Sequence, residues 1–198
     1  MRYVFLLTLL IPTLVVAQPS NYPPQFEDAR QEVYKTIDGI ELSLWIFEPE
    51  DLQPGDSRAS IVFFFGGGWK KGDPGQFEQH CRYFASRGMV AVTADYRVLE
   101  RHGTFADRSV SDAKSAIRFV RQHAARLGID PDRIVAAGGS AGGHLAACTG
   151  VVVGFDQPSE DGSISSVPNA MALFNPALVL SPFQGASLPA EKVEELSH

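Results

Sequence analysis

Apolar residues fall in two kinds of run along this chain. Short unbroken blocks, "IVFFF" (61–65), "MVAVTA" (89–94), "RIVAA" (133–137) and "AMALF" (170–174), alternate with stretches in which apolar side chains recur every three or four positions. The blocks, rich in β-branched and aromatic residues, predict strands, "IVFFF" and "MVAVTA" buried on both faces. Between them, "GQFEQHCRYFASRG" (75–88) sets Phe77, Cys81, Phe84 and Ala85 at helical spacing, with Gly88 as a stop. "SVSDAKSAIRFVRQHAARLG" (109–128) lines Val110, Ala113, Ile117, Val120, Ala124 and Leu127 on one face. Its Ser109 and Asp112 have capping-box spacing, and Gly128 closes it. A helix is also expected from Ser140 to about Val153, and a short one over "LPAEKVEELSH" (188–198). Ahead of all these, "EVYKTIDGIELSLWIFEPE" (32–50) reads as two strands joined by Asp38-Gly39, a hairpin turn pair. A hairpin followed by strand–helix repeats with buried strands predicts a three-layer α/β fold with a mostly parallel sheet. Ligands on such sheets bind at the carboxyl ends of the strands, where 66–69 and 138–142 lie.

The two ends of the chain read differently. Arg2, an apolar run over 4–16 interrupted by Pro12, and small Ala17 predict a cleavable secretory signal at 1–17, with an uncleaved anchor as the alternative. The mature chain then begins at Gln18, is secreted or periplasmic, and has no stable membrane insertion. A polar, Pro-rich arm spans 18–32 and one domain 33–198; 198 residues suit a single core. The formal net charge of −6 supplies no basic footprint and argues against a nucleic-acid partner. Cys81 and Cys148 read as buried thiols on separate helices; their spacing is no metal pattern.

The chemistry concentrates in Gly138-Gly139-Ser140-Ala141-Gly142, a G-x-S-x-G between strand and helix. A serine on so tight a turn needs neighbours without bulk, and the following helix aims its amides at any negative oxygen formed there. A glycine-rich turn that binds phosphate or merely packs is the alternative. "FFFGGGWKKGD" (63–73) supplies the second piece. Backbone N–H groups of Gly67, Gly68 and Ala141 are the expected oxyanion donors. Trp69 is a candidate pocket floor, and Arg97 a local ion-pair partner for Asp112.

"IVFFFGGGWKKGD", "ADYRV", "DAKSAIRFVRQHAARLGIDPDRI" and "AAGGSAGGHLAA" resemble the α/β-hydrolase superfamily, in its secreted carboxylesterase and acetylxylan-esterase-like branch, similar to the hormone-sensitive-lipase type. The likeness runs from about Val33 to about Leu178. It implies hydrolysis of a small or polysaccharide ester through an acyl-serine at Ser140, without metal or cofactor. Phe65 departs from the pattern, since many relatives carry histidine there to brace the oxyanion loop.

The fold's chain order puts an acid and then a histidine after the serine. His144 lies one helical turn past Ser140, where its side chain runs along the packing face, and His198 is terminal. His80, His102 and His123 precede the serine and read as surface or structural. Asp156 and Asp161 fall in a polar loop where solvation is expected, and neither they nor Glu160, Glu191, Glu194 and Glu195 follow an apolar strand as a triad acid does. The expectation is a chain that ends before the strands delivering its acid and base, with a sheet edge left unpaired. A peptidase or lactonase on the same fold, or an inactive remnant, are the alternatives.

Overall fold

The computed structural model describes residues 22–178. The expected signal segment, the last expected helix, His198, Glu191, Glu194 and Glu195 lie outside the described residues.

The hairpin forms as its turn pair predicts: β1 (Arg30–Ile37) and β2 (Ile40–Phe47) pair antiparallel, with Asp38 and Gly39 at φ 52° and 77°. β1 starts inside the stretch read as an arm, because the ladder continues from Val33 back to Arg30, opposite Ile46. The register slips between Val33 and Lys35. This bulge lets consecutive side chains, Tyr34 and Lys35, both go into the interior.

The apolar blocks become β3 (Arg58–Phe64), β4 (Val90–Ala94), β5 (Ile129–Gly139) and β6 (Ala170–Phe174). The six strands are ordered β1-β2-β4-β3-β5-β6, parallel from β4 onward and antiparallel at the hairpin end. β3 is central, and Val62, Phe63 and Phe64 are fully buried there, as an unbroken apolar run requires. A 3₁₀ turn (Pro74–Phe77) and α1 (Glu78–Ala85) cover one face, where Phe63 stacks on Phe77 at 4.8 Å. α3 (Ala106–Gln122) and α4 (Ala141–Val151) pack together on the other face, and α2 (Leu99–His102) is a single turn after β4. The three layers match the sequence expectation. β6 is the outer strand among the described residues, and its Met171, Leu173 and Phe174 are exposed.

One sequence reading is corrected. α3 begins at Ala106, three residues before Ser109, so Ser109 and Asp112 form no capping box. The Ser109 hydroxyl donates to the Arg97 carbonyl at 2.8 Å instead. Asp112 is fully buried and grips Arg97 with both oxygens, at 2.8 Å from Nε and from Nη2; it also takes Lys35 Nζ at 2.8 Å. Burial opposes the charge on Arg97, but the paired carboxylate outweighs it and raises the Arg97 pKa.

Candidate active site

β5 delivers Ser140 at its carboxyl end, and α4 starts on the next residue. Ser140 has φ 54° and ψ −117°, a conformation that non-glycine residues adopt only under constraint. Backbone bonds impose it. The Ser140 N–H donates to the Phe174 carbonyl at 3.0 Å, and the Ser140 carbonyl accepts from His144 at 3.0 Å and Ala177 at 3.1 Å. The flanking glycines are required by close approach rather than by φ. A Cβ on Gly142 would stand 1.9 Å from the Phe64 carbonyl oxygen, and one on Gly138 would stand 2.4 Å from that of Gly142. The hydroxyl-bearing residue itself is exposed.

The glycine turn after β3 lies beside it. A Cβ on Gly66 would come within 3.5 Å of the Ser140 Cβ. Gly67 and Gly68 turn with φ 133° and 64°, and the Gly67 carbonyl accepts from both Lys70 and Lys71 at 3.2 Å. Among the described residues, the N–H groups of Gly67, Gly68 and Ala141 donate to no protein acceptor. The fold thus sets the start of the glycine turn beside Ser140, with Ala141 the next residue along the chain.

The histidines lie elsewhere. Among the described residues no histidine ring and no carboxylate is hydrogen-bonded to Ser140. The His144 ring is set edge-on to Trp69 at 5.0 Å, with Nε2 3.4 Å from Cys148 Sγ; burial lowers its pKa. His102 Nδ1 accepts from the Val98 N–H at 3.0 Å, His123 packs on Phe119 at 4.4 Å, and exposed His80 borders Phe63, Phe77 and Phe174. Asp156 is not simply solvated, as the loop's polarity suggested. Arg118 reaches Asp156 at 2.5 Å and Glu160 at 2.6 Å, and Lys114 reaches Asp156 at 2.8 Å. They tie the 156–166 loop to α3. Asp161 takes the Ser163 hydroxyl at 2.7 Å.

Trp69 is buried at φ 58° and lines a cavity of about 20 Å³ with Gly68 and Thr104. A larger cavity of about 730 Å³, lined by Asp28, Arg58, Arg82 and Gly88 among others, opens at the amino ends of the parallel strands, remote from Ser140. Both cysteines are free and buried, one on each of two helices, and burial raises the Cys148 thiol to about 11. Among the described residues no cluster of three His, Cys, Asp or Glu has the makings of a metal site, and no helix is long and apolar enough to cross a membrane.

Sequence reading missed Asp95, because a lone acid after a strand carries no signal of its partners. Its carboxylate accepts from the Tyr22 hydroxyl, from Arg101 Nη2 at 3.1 Å and from the Tyr96 N–H at 2.9 Å. Burial outweighs these donors and pushes the carboxyl up to about 6. The folded pKa exceeds the unfolded one, so this group's contribution to stability is fully present below about pH 4 and is lost as pH rises through 6. Measured by urea unfolding, the stability of the wild type relative to Asp95→Asn falls between pH 4 and 7, by up to roughly 3 kcal/mol at 1.36 kcal/mol per unit. A rise over that range contradicts the assignment.

Known proteins with this arrangement agree with one another. Apo Thermogutta terrifontis esterase 2 superposes with a TM-score of 0.83 at 54% identity, covering 89% of this chain and 65% of that one. Its propionate-bound form gives 0.82 at 55%, with the same coverage. Carboxylesterase NlhH of Mycobacterium tuberculosis is 37% identical over 93 residues, 46% of this chain and 28% of the relative. A probable isoprenylcysteine alpha-carbonyl methylesterase of Oryza sativa subsp. japonica, ICMEL1, is 37% identical over 115 residues, 58% of this chain and 27% of its own length. The chain therefore spans under two thirds of the solved esterase and little more than a quarter of the curated relatives. The BD-FAE family model matches residues 46–174, from β2 through β6, which takes in the glycine turn and Ser140. With that match over more than half of its length and the sheet order described above, this chain belongs to the BD-FAE family and has the α/β-hydrolase fold.

Proposed function

We propose that the chain carries the nucleophile and oxyanion donors of a carboxylic-ester hydrolase acting on short acyl esters. The observation that carries the reading is the strained Ser140, held beside three undonated backbone N–H groups. Ser140 Oγ attacks the ester carbonyl and gives its proton to a base. The carbonyl oxygen gains the negative charge and is met by the amides of Gly67, Gly68 and Ala141. Collapse breaks the carbon–oxygen bond to the alcohol, which leaves protonated, and water then cleaves the acyl-serine to release the acid. Among residues 22–178 no histidine or carboxylate is hydrogen-bonded to the Ser140 hydroxyl.

Short acyl groups are supported by the propionate-bound and butyrate-bound forms of the Thermogutta esterase, which is more than half identical to this chain. The same reading places the protein outside the cytoplasm, processed before Gln18, with acetylated polysaccharide as its natural ester. Its test is a panel of p-nitrophenyl esters from acetyl to octanoyl, together with acetylated xylan. The expected result is kcat/KM highest at two to four carbons, with acetate released from the polymer. A preference for octanoyl overturns the short-acyl reading, and intact xylan acetyl groups overturn the polysaccharide one.

A further inference from the structure

The glycine turn is closed backbone to backbone. Gly72 sits at φ 105°, and a Cβ on it would stand 2.3 Å from the Gly66 carbonyl oxygen. Gly72 therefore packs directly on the Gly66 carbonyl, next to the two amides that follow. Phe65, which leads into the turn, has no polar atom to brace it. Its ring stacks on Tyr96 at 4.0 Å, and the Tyr96 hydroxyl donates to the Phe65 carbonyl at 2.7 Å. The far arm is held from α2: Leu99 and Glu100 donate their N–H groups to the carbonyls of Trp69 and Lys70 at 3.0 and 2.9 Å.

Arg101, on the same turn of helix, closes this brace. One guanidinium nitrogen donates to the Gly72 carbonyl and the other to Asp95 Oδ1 at 3.1 Å. The guanidinium carbon lies 4.0 Å from the Tyr22 ring centre and 5.8 Å from that of Phe65. Asp95 has its second oxygen on the Tyr22 hydroxyl, so carboxylate, guanidinium and phenol fix one another. A planar fork with a stacking face suits this place; an ammonium has neither property.

We propose that Arg101 is the positioning residue of the oxyanion turn: through the Gly72 carbonyl it holds the amides of Gly67 and Gly68 at the geometry Ser140 needs. This rests on the ester-hydrolase reading of the site. Tyr22 makes the residues ahead of β1 part of the device, because its ring covers the guanidinium from outside.

The test compares wild type with Arg101→Ala and Arg101→Lys in three readouts. With p-nitrophenyl acetate, Arg101→Ala loses kcat by about 10- to 100-fold with KM changed less than about threefold, since a misplaced oxyanion donor acts on the transition state. Arg101→Lys recovers little of the loss, whereas added guanidinium ion restores part of the Arg101→Ala rate. Amide hydrogen exchange at Lys70 and Lys71, whose N–H groups donate to the Gly67 carbonyl, accelerates in both variants, with exchange in β3 and β5 unchanged as evidence of folding. A lowered Tm with wild-type kcat, or unaltered exchange at Lys70 and Lys71, overturns the proposal and leaves Arg101 as a fastener for the arm. Should the wild type itself hydrolyse no ester, the functional reading fails on its own, and the exchange readout still decides whether Arg101 positions the turn.

Discussion

On the proposed function, Ser140→Ala is expected to remove both ester turnover and covalent phosphorylation by paraoxon. Loss of a nucleophile of this kind lowers kcat on the order of 10⁴-fold or more, leaving only what the oxyanion donors and binding retain. The second readout is independent of the first. The Thermogutta esterase has been solved phosphorylated by paraoxon, and this chain is 55% identical to it. Intact mass and peptide mapping then place one diethylphosphoryl group on Ser140 in the wild type and none in the variant. The geometry explains why no neighbouring residue substitutes. Ser140 is held at φ 54° by three backbone bonds to β6, α4 and the 175–177 segment, and the glycines and alanine around it, 138–143, carry no second hydroxyl. Alanine fits the same backbone, since no partner of the hydroxyl is lost, so the fold survives and a loss of rate reports chemistry. Label on a different residue, or turnover within tenfold of wild type, removes Ser140 from the mechanism.

The parts of this site legible in the sequence are those where one short segment carries the whole constraint. A tight strand-to-helix turn demands small neighbours, so Gly138, Gly142 and the strain at Ser140 follow from five residues. Unbroken apolar blocks demand burial on both faces, so the parallel sheet follows from their spacing. Asp38-Gly39 fixed the hairpin because both positions need positive φ. What stayed hidden depends on residues far apart in the chain. The pairing of Asp112 with Arg97 is legible and holds, but Asp112 also meets Lys35, 77 positions earlier, because a bulge at Tyr34 turns Lys35 inward. The Asp95–Tyr22–Arg101 group joins residues 73 apart and has no periodicity to betray it. Asp156 looked solvated because polarity alone does not reveal Lys114 and Arg118 waiting on α3.

The largest loss of stability is expected at Asp112. Asp112→Ala removes the carboxylate in contact with both Arg97 and Lys35, two side chains that are 3% and 4% exposed. It also strips the acceptor from the Arg97 N–H, 3.0 Å away. Two buried cations are then left without their shared counter-charge. Breaking a buried pair in this way costs about 3–5 kcal/mol, a large part of the 5–15 kcal/mol that holds a typical domain together. Urea unfolding followed by circular dichroism checks the size, and a change below 1 kcal/mol contradicts it. Asp112→Asn loses less, because one amide oxygen still accepts. Adding Lys35→Met to Asp112→Ala recovers part of the loss by removing one uncompensated charge and leaving an apolar stem in its place. That recovery distinguishes stranded charge from simple cavity formation, since a cavity at Asp112 would not be relieved by shortening the polar reach of β1. The consequence reaches the active site by a short path. Arg97 lies between Asp95 and the α2 turn whose N–H groups hold Trp69 and Lys70, so a loosened Arg97 frees the whole 95–101 brace against the oxyanion turn. Even where Asp112→Ala remains folded at 25 °C, its kcat on short esters therefore falls together with its stability.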